Sequence, residues 1–165
     1  MKERKRNRKL GFDYTSEAIY FLTICTHNRI CYFGNIKNAK MILNGNGKIV
    51  ENQILWLEQQ YPCFHIHNHI VMPNHIHILG DISIPVGTGR DLSLQKIKSI
   101  SELMGALKTT TSKQIHLDGN TEFRWQRSFY DHIVRNNQSY NRIFNYISEN
   151  PVKWNNDLFN NDKTE

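Results

Sequence analysis

The sequence predicts an α+β domain, because segments with the residue spacing of strands alternate along the chain with segments that have the spacing of helices. The run 18–26 is rich in β-branched and aromatic side chains, which is typical of a buried strand. Segments 92–115 and 138–150 instead carry apolar residues at helical spacing. The chain has 165 residues and contains no internal repeat or interdomain linker, so we expect a single hydrophobic core.

The other elements are predicted by the same two patterns and by the turn residues between them. Loops are expected where Gly, Pro and Asn cluster. One helix stops before Pro62, because a proline disfavours helical geometry in the residue that precedes it. In chain order, these elements are a strand at 40–43, a turn at 44–47, a helix at 48–60, strands at 64–71 and 75–80, a loop at 81–90 and a turn at 118–120.

Positive charge is concentrated at the N-terminus. Residues 2–9 contain six basic residues and one acidic residue, which is a net charge of +5 out of the +6 of the whole chain. Such an arm on a nearly neutral body favours a polyanionic partner, with nucleic acid as the leading candidate, although a solvated tail has the same composition. We expect a flexible basic arm at 1–10, one domain at 11–155 and a polar tail at 156–165 that frays.

Composition also limits the compartment. No apolar run approaches the roughly 18–20 residues of a membrane span, and no apolar signal-peptide core follows the basic N-terminus. Cys25, Cys31 and Cys63 are odd in number and lack paired metal-type spacing. Reduced thiols in a cytoplasmic protein are therefore expected.

Two histidines lie on either side of one apolar residue in the segment His75-Ile76-His77. Successive side chains of a strand point to opposite faces, so His75 and His77 share a face. Two imidazoles about 6–7 Å apart along a strand can bind one divalent ion. The pattern is weak by itself, since His65, His67 and His69 repeat it just upstream.

The last predicted helix contributes a second pair of polar side chains. Tyr146 lies away from the apolar stripe of that helix, and Asn150 is one turn further on the same flank. A tyrosine can attack a phosphodiester and form a covalent phosphotyrosine. An ion held by His75, His77 and Asn150 would polarise the phosphate, and an amide oxygen suits Mg²⁺ or Mn²⁺. Packing of the tyrosine and an ordinary Asn-Pro helix end are the alternative interpretations.

Three blocks in this order resemble the REP-associated tyrosine transposases, which belong to the HUH single-strand nucleases and are related to the single-tyrosine insertion-sequence transposases. Their joint occurrence is more specific than any one block, and the resemblance spans about residues 10–155. A first-strand segment at 21–26, followed by Asn28-Arg29, also fits. The blocks are Met72-Pro73-Asn74-His75-Ile76-His77, the run 125–135 and Tyr146-Ile147-Ser148-Glu149-Asn150-Pro151-Val152.

The resemblance implies a fold and a set of site residues. The fold is a ferredoxin-like sandwich, an antiparallel sheet with helices packed on one face. His75 and His77 match the metal-binding pair, Asn150 matches the third ligand and Tyr146 matches the nucleophile. Tyr130 lies in a structural and DNA-proximal block and is not the implied nucleophile. The histidines at 65, 67 and 69 lie off the motif and remain strand residues.

The resemblance also implies an activity. The expected substrate is single-stranded DNA with a hairpin formed by a palindromic repeat, and the expected metal is Mg²⁺ or Mn²⁺. Cleavage would leave a 5′-phosphotyrosine on the enzyme and a free 3′-hydroxyl. Some relatives exchange the tyrosine helix within a homodimer and others resemble monomers, so the resemblance leaves both a homodimer and a monomer open. The alternatives are a DNA-hairpin-binding protein without cleavage activity and a small metal-dependent phosphodiesterase.

The DNA-binding residues expected under this assignment are of two kinds. Basic residues would contact phosphates and make binding salt-dependent, while aromatic residues would stack on unpaired bases. Trp125 is another aromatic residue that could stack on a base, and packing in the core is the alternative interpretation for it. The expected set is Lys2, Arg4, Lys5, Arg6, Arg8, Lys9, Lys108, Arg127, Phe129, Tyr130 and Arg135.

Overall fold

A computed structural model describes residues 13, 15, 17–83 and 97–160 of the chain. Within these residues, two short 3₁₀ turns accompany the regular elements, at His27–Arg29 and Trp154–Asn156. The regular elements are β1 (Ala18–Cys25), β2 (Gly34–Lys37), β3 (Lys40–Leu43), α1 (Gly45–Gln60), β4 (Phe64–Val71), β5 (His75–Ile82), α2 (Ile100–Leu117), β6 (Tyr130–Val134) and α3 (Asn137–Glu149).

Four of the strands form one antiparallel sheet with the order β4-β5-β1-β6. The chain passes through these strands and the first two helices as β1-α1-β4-β5-α2-β6, which is the βαββαβ connectivity of ferredoxin-like folds. In the part of the chain that the structure describes, strands β2 and β3 pair only with each other and form a separate hairpin. The predicted α+β fold class with an antiparallel sheet is confirmed.

The two faces of the sheet carry different helices. Tyr20, Leu22 and Ile24 of β1 are completely buried in the larger core, to which α1 and α2 contribute. Ile19 and Phe21 alternate with these residues along β1, and they pack in a second cluster with α3. The expectation of helices on one face therefore holds for α1 and α2, whereas α3 lies on the opposite face. Period-two alternation gives each face of β1 its own apolar set.

Helix boundaries follow from local caps. The side chain of Asn44 accepts a hydrogen bond from the backbone N–H of Gly47 and starts α1. Ser99 and Glu102 form a capping box that starts α2 at Ile100. The predicted helix 92–115 thus begins too early, since residues 97–99 precede the first turn and 91–96 lie outside the described residues.

Two strands were not expected from the sequence. Strand β2 has four residues and β6 has five, and neither has the apolar density of β1. Strand β6 alternates exposed and partly buried residues because it forms one edge of the sheet. Pairing with β1 defines it as a strand, and that pairing partner lies about a hundred residues earlier in the chain.

The predicted terminal segments and the predicted loop have different outcomes. The basic arm, residues 84–90 of the predicted loop, and residues 161–165 lie outside the described residues. Residues 81–82 extend β5 rather than forming a loop. Within residues 156–160, Asp157 and Asn160 are buried, Arg29 and Asn74 donate to the carbonyls of Leu158 and Phe159, and the Phe159 ring packs on His75. The expectation that the tail frays is therefore wrong where these contacts hold it. Among the described residues, no helix has the length and apolar character needed to cross a membrane.

Candidate metal and nucleophile site

The register of β1 and β5 places the two motif histidines side by side on the face that carries α3. Thr23 lies opposite His77, and Cys25 lies opposite His75. His75 is completely buried and only 1% of His77 is exposed. Their Nε2 atoms are 3.1 Å apart. The predicted sharing of one strand face is therefore present, and the reactive ring nitrogens of the two side chains converge on one point.

The other ring nitrogen of each histidine has a fixed partner. Nδ1 of His75 lies 2.9 Å from Oδ1 of Asn74, and Nδ1 of His77 lies 2.8 Å from the hydroxyl of Thr23. The amide nitrogen of Asn74 donates to the carbonyl oxygens of Arg29 and Phe159 at 2.9 and 2.7 Å. These contacts hold both rings in orientation, as expected for metal-binding histidines.

Both imidazoles are uncharged at neutral pH. Burial lowers the pKa of His77 to about 3. Burial also holds the pKa of His75 well below its ordinary value, and the neighbouring His77 and Arg29 act in the same direction. Desolvation penalises the imidazolium form, so the rings keep the lone pairs that a metal ion requires.

The side chain of Tyr146 reaches the same point from α3. Its hydroxyl lies 3.5 Å from Nε2 of His77, and its ring packs edge-on against Phe21 at a centroid distance of 6.1 Å. Ile143 and Ile147 hold α3 on the sheet, with Ile147 completely buried. Burial and the carboxylate of Asp157 raise the pKa of Tyr146, while the nearby Asn150 amide opposes them. The free chain therefore keeps this phenol protonated.

Asn150 is the residue at which α3 ends, and it is completely buried. Neither its Oδ1 nor its Nδ2 makes a hydrogen bond of ordinary length and angle among the described residues, although the amide lies close enough to the Tyr146 hydroxyl to lower the pKa of that phenol. A buried amide without partners is costly, so this orphaned group is an observation in favour of a ligand at this position. No group of three His, Cys, Asp or Glu side chains that could hold a metal occurs in the described part of the chain.

Two histidines and an amide oxygen fit a divalent ion. Imidazole nitrogens about 2.0–2.1 Å from one ion lie about 3 Å apart when they subtend a right angle at it, which agrees with the 3.1 Å between the Nε2 atoms. An oxygen donor beside two imidazoles is compatible with Mg²⁺ or Mn²⁺. His75, His77 and Asn150 are thus the residues that would hold the ion.

The segment after α3 returns across the two histidines. The Phe159 ring lies 4.6 Å from His75 and the Trp154 ring stacks on His75 at 6.1 Å. Arg29 fixes this segment by donating to the carbonyl of Leu158 and by covering the Phe159 ring. A cavity of about 390 Å³ lies beside it and is lined by Tyr146, Lys153, Asn156, Asp157, Leu158 and Phe159. Tyr146 therefore borders a cavity as well as the histidine pair.

The histidines upstream in β4 do not join this site. His67 contacts Asp81 at 2.6 Å, and His69 lies 3.6 Å from Glu51. The register of β4 against β5 shifts between Ile66 and Asn68. This β-bulge at His67 changes which face each following residue occupies, so the simple alternation of the sequence does not hold across it.

The residues predicted to bind DNA lie in different settings. Lys108 is half-buried and donates to the carbonyls of Gln126 and Arg127, so its ammonium fixes the segment before β6. Trp125 packs between Phe33 and Phe123 in the core. Phe129 is partly buried, whereas Arg127, Tyr130 and Arg135 are exposed. The six basic residues of the arm lie outside the described residues.

Tyr130 is the predicted DNA-binding residue that lies closest in register to the site. It pairs with Thr23, which in turn pairs with His77. All three therefore lie in one row across the α3 face of the sheet. About half of the Tyr130 side chain is exposed, so its ring is available for stacking beside the site.

Sequence reasoning missed Asn74, Thr23, Trp154 and Phe159 as members of the site. Asn74 lies inside the quoted motif, and its position immediately before His75 was a usable signal. Thr23 and Phe159 reach the histidines only through strand pairing and the return of the C-terminal segment. No local pattern in the sequence predicts those contacts.

Comparison of the sequence with known proteins finds one similar protein over nearly the whole chain. No family model matches it. A protein of Haemophilus influenzae, described as uncharacterized, is 32% identical over 164 residues, which is 93% of this chain and 91% of that protein. The chain belongs to the family of this Haemophilus protein. The match extends over nearly the full length of both chains.

Solved structures identify the fold. A REP-associated tyrosine transposase bound to a REP hairpin has a TM-score of 0.61 at 22% identity, covering 89% of this chain and 74% of that chain. A candidate transposase from Deinococcus radiodurans R1 has a TM-score of 0.51 at 16% identity, covering 86% and 96%. The resemblance to the transposases that the sequence motifs indicated is present at the level of the fold.

Proposed function

We propose that this protein is a metal-dependent single-strand DNA endonuclease and strand transferase that acts on hairpin-containing DNA through a covalent 5′-phosphotyrosine. The observation that supports this most directly is the position of the Tyr146 hydroxyl, 3.5 Å from Nε2 of His77. The unpartnered amide of Asn150 lies one helical turn further along. The solved structure with the same fold and a bound REP hairpin supports the choice of DNA as the substrate.

The proposed reaction is a transesterification at phosphorus. The Tyr146 oxygen forms a bond to the scissile phosphorus, and the bond between phosphorus and the 3′-oxygen breaks. The phenol loses its proton and the departing 3′-oxygen gains one, so the step is balanced without an external reagent. A bound divalent ion would supply charge neutralisation at the phosphate. Because the phosphotyrosine conserves the energy of the phosphodiester, the reverse step can join a different 3′-end.

The residues of this chain have separate roles in the proposal. His75, His77 and Asn150 would hold the ion, and Tyr146 supplies the nucleophile. The Phe21 ring and the packing of α3 on the sheet keep the phenol aimed at the histidine pair. Because the nucleophile is already oriented, the activation barrier does not include the entropic cost of positioning a free phenol from solution.

The proposed DNA path runs from the site towards the β6 edge of the sheet. Tyr130 would stack on an unpaired base, an interaction that is worth about 1–3 kcal/mol. Arg127 and Arg135 flank β6 and are exposed, so both are free to approach phosphates. The basic arm would add sequence-independent attraction. Lys108 is given a structural role instead of a DNA-binding one, because its ammonium already donates to two carbonyl groups.

The test is covalent trapping. Labelled single-stranded hairpin DNA is incubated with the protein and Mn²⁺ or Mg²⁺, and the mixture is denatured and separated by electrophoresis. The wild-type protein is expected to give a labelled adduct, and Tyr146→Phe none. Tyr140→Phe is the matched control, because it removes a hydroxyl from the same helix at a side chain that packs on His67.

Other outcomes would replace the proposal. An adduct that survives in Tyr146→Phe would assign the nucleophile elsewhere. Tight hairpin binding without cleavage would favour a DNA-binding protein. Cleavage to a free 5′-phosphate, with no adduct at any time, would favour a phosphodiesterase in which water attacks.

A further inference from the structure

The hydrogen bonds around the two site histidines can be counted proton by proton. Three contacts link four side chains in a row, from Thr23 to His77, from His77 to His75 and from His75 to Asn74. The distances are 2.8, 3.1 and 2.9 Å respectively. Each contact needs one hydrogen, because two lone pairs at these distances would repel each other.

The Asn74 end of the row has a fixed direction. The Asn74 amide nitrogen already donates both hydrogens, to the carbonyls of Arg29 and Phe159. Its Oδ1 therefore faces His75 and can only accept. A flipped amide would lose both bonds and place an oxygen against two carbonyl oxygens. His75 must consequently carry its hydrogen on Nδ1, which leaves a lone pair on Nε2 facing His77.

The direction of the remaining contacts follows. Since Nε2 of His75 is an acceptor, Nε2 of His77 must carry the hydrogen between the two rings. Nδ1 of His77 then has a lone pair, and the hydroxyl of Thr23 donates to it. Two neutral imidazoles and one hydroxyl supply three hydrogens, which is the number that the three contacts require. The Tyr146 hydroxyl, at 3.5 Å from His77, is too distant to replace any of these bonds.

A cation between the rings would require the reverse arrangement at His77. Both Nε2 atoms must then present lone pairs, so His77 has to move its hydrogen from Nε2 to Nδ1. Nδ1–H needs an acceptor, and the Thr23 hydroxyl can become one by rotating about its Cβ–Oγ1 bond. His75 needs no change, because Asn74 accepts from Nδ1 in both states.

We propose that His77 changes tautomer when a divalent cation binds, that Thr23 permits this change by reversing its hydrogen bond, and that Asn74 keeps His75 in the binding tautomer throughout. Only the change of tautomer at His77 rests on the proposed function, because only that change requires a bound cation. The tautomers of the metal-free chain follow from the row of contacts alone. Thr23 and Asn74 are thus positioning residues that act through the histidines.

The first test is nitrogen-15 NMR of the metal-free, histidine-labelled full chain. The expected result is hydrogen on Nδ1 of His75 and on Nε2 of His77. A His75 ring with its hydrogen on Nε2, or a His77 ring with its hydrogen on Nδ1, would overturn the inference whatever the protein does to DNA.

The second test adds Mg²⁺, which is diamagnetic. The signals of His77 are expected to change to the Nδ1–H form, while those of His75 keep their tautomer. If Mg²⁺ binds at both rings and His77 remains in the Nε2–H form, the proposed change of tautomer is wrong. If the metal-free tautomers are as expected but neither ring responds to Mg²⁺ or Zn²⁺, the metal in the proposed function fails and the assignment of the hydrogen-bonded row stands.

A matched pair of variants isolates the hydroxyl. Thr23→Val keeps the shape of the side chain and removes the group, whereas Thr23→Ser keeps the hydroxyl. Thr23→Val is expected to weaken binding of Mn²⁺, measured by calorimetry, by about 10-fold to 100-fold, and Thr23→Ser is expected to stay within about threefold of wild type. Thermal unfolding in the metal-free state shows whether each variant folds. Equal affinity of folded Thr23→Val and wild type would contradict the role of Thr23.

Discussion

At the scale of single residues, the site combines groups that a stable core would not select. His75, His77 and Asn150 are completely or almost completely buried, and the two polar atoms of Asn150 have no hydrogen-bonding partner among the described residues. Burial of uncompensated polar groups lowers the free energy of unfolding. A site that must bind a cation and a phosphate needs such groups, so stability and the proposed function make opposite demands on the same positions.

Replacing Asn150 with leucine should separate these demands. Asn150→Leu removes two unpartnered polar atoms at similar volume, so the free energy of unfolding in chelator should rise by about 1–2 kcal/mol. Stabilisation by added Mn²⁺ should be lost, whereas saturating the wild type at about 100 times Kd should add about 2.7 kcal/mol. Chemical denaturation with and without Mn²⁺ measures both. A lower stability of Asn150→Leu in chelator would show that the amide has a compensating partner.

The buried histidines should make the chain sensitive to acid. Their pKa values in the folded state lie below the ordinary value of 6.5, at about 3 for His77. The unfolded chain therefore binds more protons between about pH 6.5 and pH 3, and stability falls as pH decreases through that window. Each histidine contributes a slope of up to about 1.4 kcal/mol per pH unit.

Denaturation with urea in chelator at several pH values between 4 and 7 would test this dependence. His77→Gln should reduce the slope, because glutamine does not titrate. His65→Gln makes the same substitution at an exposed position outside the site and provides the control. An equal slope in wild type and His77→Gln would assign the acid sensitivity to other groups.

At the scale of elements, two glycines differ in the space around them. Gly80 lies where β4 pairs with β5, and Gly105 lies within α2. A Cβ at Gly80 would meet the carbonyl oxygen of His65 at 2.5 Å and the Phe64 ring at 3.3 Å. A Cβ at Gly105, in the middle of α2, would meet no atom within 4 Å. Gly80 allows close approach of two strands, whereas Gly105 only costs the helix conformational entropy.

The two alanine substitutions should therefore have opposite signs. Gly105→Ala should raise the free energy of unfolding by about 0.5–1 kcal/mol, because alanine has the higher helix propensity. Gly80→Ala should lower it by about 1–3 kcal/mol, the usual cost of overpacking. Thermal or urea unfolding of the pair measures the difference. A stabilised Gly80→Ala would mean that β4 moves away from β5 without cost.

The sheet also determines how far local patterns can be used to predict the site. Alternation in β1 and β5 was sufficient to predict that His75 and His77 share a face. It did not predict which helix covers that face, and the β-bulge at His67 breaks the alternation of β4. The start of α2 at Ile100 depends on the capping box of Ser99 and Glu102, a signal that was present in the sequence and outweighs the apolar spacing upstream.

At the scale of the whole molecule, the cations proposed to bind DNA lie beside the site rather than among its buried groups. The site contains uncharged histidines, an amide and a protonated phenol, and the carboxylate of Asp157 is close enough to raise the pKa of that phenol. Exposed Arg127 and Arg135 flank β6, and the basic arm precedes β1 in sequence. Under the proposed function, affinity for DNA comes largely from these cations, and chemistry comes from the buried groups.

Salt dependence of hairpin binding should reveal which cations are used. For single strands, each phosphate contact contributes about 0.7 to the slope of log affinity against log salt. Arg127→Gln/Arg135→Gln should reduce the slope by about 1.4 if both contact phosphates. Lys37→Gln/Lys40→Gln removes the same charge from exposed positions on the separate β2–β3 hairpin and should change it little. Equal effects of the two double variants would indicate nonspecific attraction.

The sequence by itself predicted the α+β class and the shared face of His75 and His77, because these depend on local periodicity. Its short motifs, through the resemblance to the transposases, implied the antiparallel sheet and the candidate roles of Tyr146 and Asn150. Only the tertiary structure decided that α3 covers the histidine face, that Thr23 and Asn74 hold the two rings, and that Phe159 returns to pack against His75. The physical reason is range: strand register and the return of a distant segment depend on burial and hydrogen bonding between residues far apart in the chain, which no local pattern records.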